Sequence, residues 1–176
     1  KKDNQLSKAK ILVVCDIIQY EHISWLYEQS DVFVLATRGE GFGLTISEAI
    51  MHEKPVMVPD FGGHVDYLDP KNSFVFSGNF MPYLGSPEHD YDMLYYEPNI
   101  LEVCEKLRQC YNIWSEDPMK LKDMGKKAKQ YIQNSSYDFE SIGHSFMSIV
   151  LGEINSNNSY KSKMLWSNST QKKLDL

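Results

Sequence analysis

Long apolar runs are missing: no stretch approaches the ~20 residues needed to span a bilayer, so a transmembrane helix is excluded. A cleavable leader with a basic start and apolar middle is also missing, which points to a cytoplasmic chain. Basic charge is scarce, with 18 Lys and Arg against 24 Asp and Glu and a formal net charge of −6. That balance argues against nucleic acid as the partner. Cysteines number only three, Cys15, Cys104 and Cys110, without metal or redox spacing. They read as reduced thiols, two of them facing the core. The histidines at 22, 52, 64, 89 and 144 show no ligand spacing, and no serine sits in a nucleophile elbow. The Asn-x-Ser/Thr sequences at Asn134, Asn157 and Asn168 read as chance in an Asn- and Ser-rich chain.

What is present is enough for one domain with a core: 176 residues, 42% of them hydrophobic. After a polar lead-in over 1–10, "ILVVCD" at 11–16 is a short continuous apolar run, the pattern of a strand buried on both faces. Tyr20, Ile23, Leu26 and Tyr27 follow helical spacing, and "DVFVLAT" at 31–37 is a second strand. A glycine turn leads into a helix up to Lys54; Pro55 stops it and opens "PVMV" at 55–58. Gly62-Gly63, a short helical piece over about 64–69 and a strand "SFVFSG" at 73–78 come next. Strand and helix alternate without a hairpin signal. The expected fold is α/β: a partial Rossmann-like domain with about four parallel strands and right-handed crossovers, followed by C-terminal helices.

Residues 79–97 show no period and read as a long loop. Pro98 then opens a helix with the apolar seam Ile100, Cys104, Leu107, Tyr111 and Trp114. Asp117-Pro118 starts a second helix, whose basic run Lys120 to Lys129 reads as a solvated face. A third runs from about Asp138 to Ile154 with a stripe of Phe139, Ile142, Phe146, Ile149 and Val150. The domain is thus expected over 11–154, with a flexible tail at 155–176.

The chemistry concentrates in "TRGEGFGLTISEA", residues 37–49. Gly41, Phe42, Gly43 and Leu44 fall at the start of a helix, where N–H groups lack intrahelical acceptors and the dipole adds partial positive charge. Bare backbone at Gly41 and Gly43 suits phosphate oxygens or sugar hydroxyls. Glu40 and Glu48 stand at either end, and a carboxylate, being an acceptor only, suits paired hydroxyls. Two sugars with a diphosphate between them, the layout of a nucleotide sugar, would match. Thr45 and Glu48 also fit a capping box, in which they satisfy the helix end between them. Arg38 could meet a phosphate, although a salt bridge to a nearby acid is the commoner fate. Gly62-Gly63 fits either a second approach of backbone to ligand or a plain turn. Asp90-Tyr91-Asp92 has the spacing of a metal-holding pattern but falls in the irregular loop.

"DVFVLATRGEGFGLTISEAI" followed by "PVMVPDFGG" resembles the carboxy-terminal, donor-binding half of retaining glycosyltransferases with the GT-B fold, of the group 1 type. That family carries two glutamates with seven residues between them, the first before Gly-Phe-Gly, and Glu40 and Glu48 match. The resemblance extends from about Ile11 to Ile154, through "YYEPNI" and "SYDFESI". It implies transfer of a hexose from a nucleoside-diphosphate sugar to a hydroxyl acceptor with retention, needing no cofactor and no metal. Glu40 would act at the transferred sugar and Glu48 at the ribose, with Gly41, Phe42, Gly43, Leu44 and Thr45 completing the donor site. The family's acceptor domain and the strand–helix units carrying an Arg and Lys for the diphosphate have no counterpart here. The chain is therefore expected to be a fragment, or a truncation that pairs with another chain, and to be weak or inactive alone. The alternative from another class is a non-catalytic module in protein–protein assembly, self-associating through an open sheet edge. A sugar-nucleotide epimerase is a third reading, against which the two glutamates argue.

Overall fold

The computed structural model describes residues 10–83, 94–135, 137 and 139–151, which fall in two compact units, Lys1–Ile132 and Gln133–Leu176. The first unit is an α/β fold. Its centre is β2 (Val56–Pro59), a four-residue strand buried along its whole length. β1 (Phe33–Val34) and β3 (Phe74–Phe76) flank it in parallel, giving the order β1-β2-β3. Phe33 pairs with Val56, and Met57 pairs with Phe74. Side chains alternate across a strand, so Val56 and Val58 enter one core and Met57 the other. The first core includes Tyr27 of α1 (Tyr20–Gln29) and Ile46 and Ile50 of α2 (Leu44–Met51). The second includes Cys110 of α3 (Ile100–Glu116) and Leu121 of α4 (Pro118–Gln133). Apolar cover on both faces is why these strands read as continuous apolar runs.

Several sequence expectations change. Residues 11–16 form no strand: Ile11, Leu12 and Val13 are 86%, 87% and 73% exposed. An apolar run becomes a strand only where a neighbour supplies the ladder. The parallel sheet therefore has three strands rather than about four, with β1 at its edge, bonded to β2 through Phe33 N–H to Pro55 O and Leu35 N–H to Met57 O. The supposed loop contains an antiparallel pair, β4 (Gly78–Pro82) and β5 (Leu94–Pro98). Its prolines and mixed faces hide the alternation a hairpin would show. Asp90-Tyr91-Asp92 lies outside the described residues.

Pro98 ends β5 rather than opening α3. Asn99 is the N-cap, its side chain accepting from Leu101 and Glu102 N–H. The seam of α3 is turned outward. The Glu102 carboxylate accepts from Ser77 N–H at 2.6 Å and Ser77 Oγ–H at 2.7 Å, which fixes the rotation of the helix. These bonds hold the Glu102 carboxyl below its ordinary pKa, the Ser77 N–H contributing most. Val103, Cys110 and Ile113 then meet the core, while Ile100, Cys104, Leu107, Tyr111 and Trp114 face out. Of the three thiols only Cys110 is buried, and burial raises its pKa.

α4 behaves as its sequence implies. Leu121, Gly125 and Ala128 are buried, and Lys120, Lys122, Lys126 and Lys127 are exposed. Lys129 pairs with Glu53 at 3.3 Å. In the second unit α5 (Phe139–Leu151) forms as expected; residues 152–176, which include the predicted tail, lie outside the described residues. Among the described residues no helix is long and apolar enough to cross a membrane.

Candidate active site

Three loops meet at the carboxyl end of the parallel sheet, where open α/β folds bind ligands. They follow β1, β2 and β3, and backbone bonds tie them together. Gly63 N–H donates to Gly41 O at 2.7 Å, and Asp60 N–H to Phe76 O at 2.9 Å. Tyr96 N–H of β5 donates to Arg38 O at 2.9 Å, bringing the hairpin to the first loop. Phe61 sits against Phe80 and Tyr96 with centroids 4.8 and 5.0 Å away. The Tyr96 hydroxyl binds Asp60, and its pKa is raised by burial and that carboxylate.

The glycine turn is built as a helix start. Gly43 is the N-cap of α2 with φ +85°, a left-handed conformation that favours glycine. The following amides of Leu44, Thr45 and Ile46 have no preceding turn of helix to bond. Gly41, Phe42, Leu44 and Thr45 are exposed. A Cβ on Gly41 would meet nothing within 4 Å, so that backbone is open to a ligand. Gly43 differs from the expectation: a Cβ there would lie 2.9 Å from the Tyr67 hydroxyl, so its bare face is filled by protein.

The two glutamates flank this turn, both partly buried. Glu40 Oε1 accepts from Gly43 N–H at 3.1 Å, so one of the amides assigned to the ligand is already satisfied. Glu48 Oε2 accepts from the Tyr27 hydroxyl at 3.2 Å; burial, and then this carboxylate, pushes the Tyr27 pKa up to about 12. Each carboxylate keeps a second oxygen that accepts no hydrogen bond among the described residues. The capping box does not form. The cap is Gly43, Thr45 lies inside the first turn, and Glu48 turns to Tyr27.

Arg38 takes its commoner course. Its guanidinium grips Glu97 of β5 with Nε–Oε2 at 2.5 Å and Nη2–Oε1 at 3.0 Å, and this bond holds the Glu97 carboxyl below its usual range. Gly62-Gly63 is a close approach of backbone to backbone: a Cβ on Gly63 would lie 2.2 Å from Gly41 O.

Two residues carry the turn that sequence reasoning gave no role there. Tyr67 is buried, and its hydroxyl lies 2.8 Å from Gly43 O and 3.0 Å from Phe42 O; burial, then Glu40, raises its pKa. His64, fully buried, bonds Pro59 O through Nε2 at 2.8 Å, and desolvation lowers its pKa. Its Nδ1 has no hydrogen-bond partner among the described residues. Tyr67 binds carbonyls 24 and 25 positions earlier, a contact that no local pattern encodes. Among the described residues no group of three His, Cys, Asp or Glu is arranged to hold a metal.

Comparison with known proteins agrees with the geometry in outline. The model of a family described as "Glycosyl transferases group 1" matches residues 3–81. That stretch contains the whole glycine turn, both glutamates and the Gly62-Gly63 loop, but stops well short of Ile154. No curated protein matches the chain. The match supports glycosyl transfer, in general terms, as the chemistry of residues 3–81.

Proposed function

We propose that the chain is the donor-binding portion of a glycosyltransferase that moves a hexose from a nucleoside-diphosphate sugar to a hydroxyl acceptor with retention. The observation that carries this is the placement of Glu40 and Glu48 on either side of an exposed helix start, each with a carboxylate oxygen still free to accept. Glu48 would take ribose hydroxyls, and Glu40 hydroxyls of the transferred sugar near its reacting carbon. Amides at Leu44 and Thr45, with the open backbone of Gly41, would hold oxygens between them. In the reaction the bond from the anomeric carbon to the diphosphate oxygen breaks. A bond to the acceptor oxygen forms on the same sugar face, and the acceptor proton passes to the departing diphosphate. The diphosphate gathers negative charge as it leaves, and helix-end amides stabilise such charge. Arg38, tied to Glu97, is not assigned to that task. No cofactor or metal is part of the proposal.

Calorimetry with UDP- and GDP-hexoses tests it. Binding by the full chain is expected, and Glu48→Ala should weaken it about tenfold or more, the scale of a charge-assisted hydrogen bond. Glu48→Gln, which keeps the shape beside Tyr27, separates ligand loss from misfolding. A Glu48→Ala protein that binds as tightly as the parent contradicts the role.

A second reading is a non-catalytic assembly module. It draws on the outer edge of β1, where Val34 is 39% exposed, and on the exposed apolar residues 11–14. Unpaired strand edges recruit further strands.

A further inference from the structure

The outward seam of α3 has no part in donor chemistry, and its spacing is informative. Ile100, Cys104, Leu107, Tyr111 and Trp114 recur at alternating steps of four and three, the repeat by which one helix packs along another. All five are exposed on a regular 17-residue helix. At 1.5 Å per residue the strip from Ile100 to Trp114 is roughly 21 Å long. A contiguous apolar strip of this kind marks an interaction surface. The core is served by a different stripe of the same helix, Val103, Cys110 and Ile113.

The flanks identify the occupant. One flank, Val103 and Cys110, is against the sheet. The other is open and carries Glu105 and Arg108, opposite charges placed either side of Leu107. The Arg108 guanidinium lies 5.8 Å from the Tyr111 ring, at the border of the seam. Neither charge makes an ion pair among the described residues. If a second α3 runs antiparallel and the two-fold axis passes near Leu107, open flank meets open flank. Arg108 of each copy then lies beside Glu105 of the other, and Ile100 lies beside Trp114. A parallel pair would instead set the open flank against the side already buried on the sheet.

We propose that this face of α3 is the interface of a two-fold, antiparallel homodimer, held by the seam and by reciprocal Arg108–Glu105 pairs. Isologous pairing of one patch with itself is the commonest way chains assemble. This goes beyond the glycosyl-transfer reading and stands whether or not that reading holds.

Sedimentation equilibrium of the full chain across a concentration series tests it. Reversible dimerisation is expected. Leu107→Glu, at an exposed position and with an unchanged circular-dichroism spectrum as the check on folding, should weaken it about tenfold or more. Glu105→Arg and Arg108→Glu alone should each weaken it roughly three- to thirtyfold, since each creates two like-charge contacts. The combined swap should restore association to within about threefold of the parent. A parent that is monomeric throughout overturns the proposal. So does a dimer indifferent to Leu107→Glu, which would place the contact elsewhere, such as the β1 edge. A combined swap that fails to restore association also overturns it.

Discussion

At the scale of single residues, the site is a question of which backbone atoms are already engaged. On the proposed reading Glu40 serves structure and ligand together. One oxygen satisfies Gly43 N–H, and the other is left over. Among the glycines of the site Gly63 has the narrowest tolerance, because a Cβ there would lie 2.2 Å from Gly41 O. We expect Gly63→Ala to push the two loops apart and to cost roughly 1–3 kcal/mol of stability. Denaturant unfolding would measure that loss, and a variant as stable as the parent would show that the loops are free to separate. The placement of Glu40, Glu48 and the glycines around a helix start was legible in the sequence, because their spacing and their place before a helix are local facts. The role of Tyr67 was not, because its hydrogen bond to Gly43 O joins loops that only folding brings together; the His64 bond to Pro59 O is local, but no spacing pattern marks it.

At the scale of elements, the sequence is read well where one feature decides and poorly where two compete. β2 was clear because all four of its residues are buried. Residues 11–16 have equally apolar composition, but among the described residues no neighbouring strand completes a ladder for them. On α3 two apolar stripes compete, and Asn99 and Glu102 choose between them through bonds to the helix start and to Ser77. Nothing in hydrophobic spacing ranks those stripes. α4 shows the opposite case, where one small residue sets a packing distance. A Cβ on Gly125 would lie 1.9 Å from the carbonyl oxygen of Glu53, itself in a left-handed conformation with φ +59°. Backbone cannot yield as a flexible side chain can. Gly125→Ala should therefore lift α4 from the end of α2, lowering stability by roughly 1–3 kcal/mol or more and exposing the apolar surface around Leu121 and Ala128. Thermal unfolding together with dye binding would detect both effects; an unchanged midpoint would mean that α4 docks some other way.

At the scale of the whole molecule, the first unit gathers the atoms of the proposed donor site at one end of the sheet. Loops after all three parallel strands converge there, and the β4–β5 hairpin is bonded to the first loop through Arg38 and to the second through Phe61 and Asp60. The opposite requirement, a site assembled from one short motif alone, would leave Glu40 and Glu48 on a mobile turn. Here the turn is held from below by Tyr67 and from the side by Gly63. A pre-formed turn costs less ordering when a ligand arrives. The central claim is that acceptor side chains at both ends of this turn grip sugar hydroxyls while its amides grip what joins the sugars. An amide-resolved NMR titration of the full chain with a UDP- or GDP-hexose addresses it directly. The account predicts that the largest shifts fall on the amides of Gly41, Leu44 and Thr45 and disappear in Glu48→Ala. Saturable binding that leaves those amides unmoved, with its shifts elsewhere in the chain, would contradict it.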